Sequence, residues 1–181
     1  MSRRSRAREI TLQVLYQSDL NADQPDNIRQ LFVAARLNNQ RKLVDFANQL
    51  LTGVRSNRDE IDQLLKRVAE NWSLNRMAAI DRNILRLGAY EIIFSDTPDR
   101  VAINEAIELA KRYGGLNSAQ FVNGVLDRLI KRHQNSIPEL ANKPVESVNP
   151  RGANAANAAD EREFKNPLGR LLTKKNRNQD K

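Results

Sequence analysis

Apolar residues recur along most of this chain at three- and four-residue intervals, the spacing that puts them on one side of a helix. Ala7, Ile10 and Val14, with Leu15 beside them, give a first helix. Asp19 to Asp26 is polar and holds Pro25, and reads as a loop. Ile28–Leu37 and Leu43–Leu51 give a second and a third helix; Gly53 is expected to end the third, and Ser56-Asn57 to start the next. Ile61, Leu64, Leu65 and Val68 make an i, i+3, i+4, i+7 stripe. Met77–Phe94 is the longest apolar-rich stretch, with Ile80, Ile84, Leu87 and Ile93 as core candidates. Ser95-Asp96-Thr97-Pro98-Asp99 interrupts it, with Asp99 a candidate N-cap for the helix that follows.

That helix, Val101–Tyr113, carries Ile103, Ala106, Ile107 and Ala110 on one face. Gly114-Gly115 stops it, as glycine accepts the left-handed conformation common after a helix end. Asn117 or Ser118 can cap a last helix bearing Phe121, Val122, Val125, Leu126 and Leu129. No stretch alternates with a period of two. The expected fold is all-α, with about seven helices.

Beyond Ile137 the pattern fails. Pro138, Pro144, Pro150 and Pro167 punctuate the chain, and Ala153–Ala159 is an Ala/Asn run with little to bury. The expected division is a helical domain over 1–137 and a flexible basic tail over 138–181. Within the tail, Leu168–Lys175 is a candidate short basic helix on a partner.

The net charge of +8 sharpens this division. Residues 1–16 hold +3, residues 17–137 only +2, and residues 138–181 another +3. Basic ends on a balanced body suggest a polyanion partner or plain solubility. With no cysteine, disulfides, thiolate zinc sites and a cysteine nucleophile are excluded. The arginine-rich start lacks the apolar run of a secretory signal, and no stretch has the length of a membrane span. The chain reads as soluble and cytoplasmic.

Enzyme signatures are missing. No glycine-rich phosphate loop is present. His133 is the single histidine and sits in the basic run Lys131-Arg132-His133 at an expected helix end. Glu105 and Glu108 stand one turn apart, a spacing common on exposed faces, so no metal and no cofactor is expected.

Binding residues are easier to find. Arg6, Glu9, Gln13 and Tyr16 share a helical face beside that of Ala7, Ile10 and Val14. Arg3, Arg4, Arg6 and Arg8 offer charge and planar forks for phosphate. Gln13 can bond a base edge, and Tyr16 can stack on an unpaired base. A solvated basic helix start is the alternative. At the last helix, Asn117, Ser118 and Gln120 precede Phe121, where free N–H groups can take a phosphate. Phe121 is a core anchor or a stacking platform, and the residues alone favour the core anchor. Gly124 lies inside that helix, and close approach by another helix would explain it.

Four pieces in order carry a family resemblance: Arg3–Glu9 with Leu15-Tyr16, Ile80–Arg86 followed by Tyr90-Glu91, Val101–Lys111, and Phe121–Asp127. Together they resemble the NusB family of transcription antitermination factors over about residues 3–132. The resemblance implies two packed helical bundles. It also implies a non-catalytic adaptor that binds the single-stranded boxA element of ribosomal RNA leaders with NusE, a small-subunit ribosomal protein. Such a complex would act on the transcription elongation complex and promote read-through of ribosomal RNA operons. Carried over by position, the RNA face comprises Arg3, Arg4, Arg6, Arg8, Gln13, Tyr16, Asn117, Gln120 and Phe121. The partner face is expected around Glu70–Arg76 and Arg82. Two other readings stand beside this one. A NusB-like domain also occurs fused to RNA cytosine methyltransferases, so the chain could be a detached accessory for RNA modification. A self-associating structural protein is the third, and a homodimer burying the RNA face is compatible with the sequence.

Overall fold

The structure is a computed structural model that describes residues 2–21, 23–69 and 76–141, the last six of these as helix only. Its helices are α1 (Arg3–Leu20), α2 (Asp26–Arg36), α3 (Arg41–Ser56), α4 (Arg58–Val68), α5 (Ala79–Phe94), α6 (Asp99–Tyr113) and α7 (Ser118–Ala141). Among the described residues there is no strand. The chain divides into one compact unit, Met1–Asn135, and a second, Ser136–Lys181. The first unit holds α1 to α6 and most of α7. The division falls close to the composition change at Ile137, although α7 runs on to Ala141.

Helix α5 organises the unit. It is buried at every position from Asn83 to Ile93, as a helix must be when neighbours cover all its sides. α1, α3, α4 and α6 all pack on it. α7 reaches it where Leu126 lies against Gly88. α1, α2 and α3 pack on one another as a first group, and α4 to α7 gather around α5 as a second. The face of α6 toward α5 is built of small residues, Ala102, Ala106 and Ala110, with Leu109. Small side chains there let the two helices come close.

Three polar residues lie in the buried run of α5, and each is satisfied by another helix, as burial demands. Asn83 donates to Asp19 of α1 at 2.9 Å. Arg86 grips Asp62 of α4 with two bonds of 2.8 Å. Glu91 accepts two bonds from Arg8 of α1, at 2.8 and 2.7 Å. Asp19 also meets Arg58 at 3.2 Å, Arg82 at 3.3 Å and Arg86 at 3.5 Å. It therefore joins α1, α4 and α5 at one point.

Several local expectations need correction. Asp19 is helical, because α1 continues to Leu20. Gly53 does not end α3, which continues to Ser56. Its lack of a side chain instead makes room for the Tyr90 ring: a Cβ there would stand 2.0 Å from the ring. Asn57 caps the end of α3 by donating to the Gly53 carbonyl at 2.7 Å, and its side chain gives α4 no N-cap bond. Asp99 is the first residue of α6, preceded by Pro98, and makes no capping bond. Gly114 is extended (φ −86°, ψ −179°), not left-handed, and a Cβ there would collide with Ser118 at 2.4 Å. Gly124 has nothing within 4 Å of a Cβ, so no neighbouring helix explains it. His133 lies inside α7, not at its end.

Candidate nucleic-acid interface

α1 presents its residues on different faces, and this divides the candidate arginines. Arg4 and Arg8 are one turn apart, and both guanidinium groups lie over the Phe46 ring of α3, at 5.3 and 5.2 Å from its centroid. Arg6, Glu9, Gln13 and Tyr16 follow the other face. Arg3 and Arg4 are exposed and Arg6 half-exposed.

Arg8 corrects the expected RNA face. It is 3% exposed, its fork closes on Glu91, and a third nitrogen lies 3.7 Å from Glu105. Thr97 donates to Glu91 at 2.9 Å and Ser5 to Glu105 at 2.7 Å. Its charge is spent on two carboxylates inside the fold, so it offers no fork to a ligand.

Gln13 and Tyr16 line one shallow groove of about 400 Å³ with Leu12, Ala78, Ala79, Ile80 and Tyr113. Tyr16 is 37% exposed, leaving part of its ring open at the rim. The far wall is the end of α6. Tyr113 donates a hydrogen bond to Glu9 of α1, a residue 104 positions away in sequence. Glu9 also accepts from Arg6 at 2.7 Å and lies 3.7 Å from Arg112. Burial alone would lift the Glu9 carboxyl, but the bonds from Tyr113 and Arg6 and the charges of Arg6 and Arg112 hold it below the usual range. Burial pushes the Tyr113 hydroxyl up, and the bond to the Glu9 carboxylate pushes it the same way.

The loop after α6 is held firmly. Ser118 Oγ accepts from the Gly115 N–H at 2.8 Å and bonds Asp81 of α5 at 2.9 Å. It presents Leu116 at 99% exposure, with Asn117 and Gln120 exposed beside it. Phe121 is half-buried and packs against the core, so the core-anchor reading accounts for much of its ring. The structure thus brings Gln13, Tyr16 and Arg6 to the end of α6, and places Asn117 and Gln120 on the loop and helix that follow. Tyr113, which lines the groove, and Arg112, which meets Glu9 beside it, are not among the residues expected from the sequence. Their signal was present: a cationic last turn, Lys111-Arg112, ending at the double glycine.

Of the expected partner face, Glu70 lies outside the described residues. Arg76 is exposed. Arg82 is largely buried and paired with Asp19. Leu20, one turn after Tyr16, is exposed on α1. Among the described residues no group of His, Asp or Glu is arranged to hold a metal, and no helix is long and apolar enough to cross a membrane.

These features describe a small all-helical protein with an open groove lined by an amide and two tyrosines. The comparisons narrow that description: the NusB family matches residues 5–131, and the chain belongs to the NusB family. The transcription antitermination protein NusB of Anaeromyxobacter dehalogenans is 46% identical over 128 residues, covering 71% of this chain and 90% of that protein. The solved structure of T. maritima NusB is similar at a TM-score of 0.65 and 38% identity, covering 76% of this chain and 98% of that one. A crystal structure of the antitermination factors NusB and NusE in complex with double-stranded RNA contains a similar chain, at a TM-score of 0.66 and 28% identity. That match covers 73% of this chain and 98% of the other.

Proposed function

We propose that this chain is a non-catalytic transcription antitermination factor. It binds single-stranded boxA-type RNA with a NusE-type ribosomal protein, and in the cytoplasm it helps the elongation complex read through ribosomal RNA operons. The observation that carries this reading is the groove that Gln13, Tyr16 and Tyr113 line, with Arg6 and Arg112 gathered on Glu9, the residue that Tyr113 bonds. A stacking ring, a base-edge amide and flanking guanidinium groups are what single-stranded RNA recognition uses. The solved relative that holds NusE and double-stranded RNA supports an RNA and a NusE-type protein as partners. Asn117 and Gln120 extend the RNA face along the start of α7, and Arg3 and Arg4 add charge at its start.

We take the partner face to include the exposed Leu20 of α1, one turn from the groove's Tyr16, and the exposed Arg76. Tyr16 and Leu20 stand one turn apart on α1, and both are exposed. Ala78 to Ile80, just after Arg76, line the adjoining groove. The accessory role in RNA modification is less favoured, because the match spans 90% of a protein named for antitermination.

Fluorescence anisotropy tests the reading. A boxA-like single strand, its scrambled version and a duplex of the same sequence are titrated near physiological salt, with and without the NusE-type protein. The expected result is preference for the boxA-like strand, strengthened by the partner. Equal binding to all three, indifferent to the partner, would remove it. Sedimentation of the free chain shows whether a homodimer competes for the same face.

A further inference from the structure

We propose that Glu9 is a positioning residue that holds Arg6 of α1 and Arg112 of α6 as a two-arginine clamp for the RNA backbone, which makes the end of α6 part of the RNA face. The inference rests on the RNA reading of the groove and adds to it a residue that opposes RNA in charge yet supports binding.

The geometry is specific. The Glu9 side chain is 6% exposed, while those of Arg6 and Arg112 are 42% and 50% exposed. One oxygen of Glu9 takes Arg6 Nη1 at 2.7 Å. The other takes the Tyr113 hydroxyl and lies 3.7 Å from Arg112 Nη1. A guanidinium carries five N–H donors in a fixed plane, and one carboxylate oxygen occupies few of them. Two half-exposed forks thus share one buried anchor.

Arg112 also faces Glu108, which Lys111 holds at 2.7 Å, so Arg6, Lys111 and Arg112 around Glu9 and Glu108 leave an excess positive charge at the surface, and a phosphodiester would neutralise it. Free arginines lose much side-chain freedom when they grip a phosphate, whereas forks already fixed on Glu9 lose less. Tyr113 fixes the carboxylate in turn, and the same ring lines the groove with Gln13 and Tyr16. The RNA strand that enters the groove therefore passes the clamp.

The test is RNA binding by Glu9→Gln and Arg112→Ala against wild type, over a salt series with the boxA-like strand. Charge alone predicts that Glu9→Gln binds more tightly, since it removes a negative group from an anion-binding face. The clamp predicts that it binds severalfold more weakly, with all arginines still present. If Arg3, Arg4, Arg6 and Arg112 meet phosphates, the log–log salt slope of wild type is roughly −3, and Arg112→Ala makes it shallower by about 0.7. Should Glu9→Gln fail to fold, the surface variant Arg112→Ala still decides the matter through its slope. Wild-type affinity in Glu9→Gln, or an unchanged slope in Arg112→Ala, overturns the clamp and leaves the RNA reading standing. Absence of RNA binding by wild type at any salt overturns both.

Discussion

Arg8 and Glu91 face each other through two parallel N–H···O bonds inside the fold, with side chains 3% and 1% exposed. The pair fastens the start of α1 to the end of α5. Removing one partner leaves a buried charge without its counter-ion, which typically costs about 3–5 kcal/mol. Arg8→Ala leaves the buried Glu91 without its cation, and Glu91→Ala leaves the Arg8 guanidinium only the more distant Glu105, at 3.7 Å. Either variant should lower the urea midpoint by that equivalent. Arg8→Met with Glu91→Leu should recover most of the loss, because the desolvation of both ions disappears with them. If Arg8→Ala keeps wild-type stability and loses only RNA affinity, Arg8 belongs to the RNA face after all.

Two glycines in helices should respond oppositely to alanine. Gly53→Ala drives a Cβ into the Tyr90 ring, itself buried and stacked on Phe94, and should destabilise by about 1–3 kcal/mol. Gly124→Ala enters open space and removes glycine's entropic penalty in a helix. It should stabilise by about 0.5–1 kcal/mol. Thermal melts of the two variants should move in opposite directions, and a drop for Gly124→Ala would mean that its surroundings are filled.

Much of the helical architecture was legible because the apolar stripes of α4, α6 and α7 repeat with helical period. Boundaries were less so: Gly53 reads as a stop, and only the distant Tyr90 shows why a glycine stands there inside the helix. The site was half legible. Arg6, Gln13 and Tyr16 share a face by spacing alone. Arg8 read as a phosphate ligand because its partner lies 83 residues away, and Tyr113 escaped notice because its bond to Glu9 spans 104. Pairing at such separations is a property of the folded chain.

Acid should weaken this fold through Glu9 and Asp19. Burial would raise the Asp19 carboxyl, but bonds from Asn83 and Arg82 and the charges of Arg86 and Arg58 outweigh it and hold it low. Both carboxyls bind protons less readily in the folded chain than in the unfolded one. Their contribution is therefore complete above the ordinary carboxylate pKa near about 4, and is lost as pH falls through the lower folded values. The urea midpoint should hold from about pH 7 to 5 and decline below about 4. Asp19→Asn should lower stability at neutral pH and flatten the acid decline. An unchanged decline in that variant would assign it to other groups.

Tyr16 and Phe121 should separate recognition from folding. Tyr16 offers an open ring at the groove rim, whereas Phe121 is half-buried against the core. Tyr16→Ala should leave the melting temperature nearly unchanged and weaken RNA binding by about 1–3 kcal/mol, the worth of one stacked base. Phe121→Ala should cost about 1–3 kcal/mol of stability by stripping apolar contacts. Any RNA loss in that variant must exceed its unfolded fraction before stacking is credited to the ring. Melts and anisotropy on the same samples give both quantities. Wild-type affinity in a folded Tyr16→Ala would take the ring out of RNA recognition. With Leu20 exposed one turn away, Tyr16 would then serve the protein partner, and its substitution should weaken the effect of that partner on RNA binding.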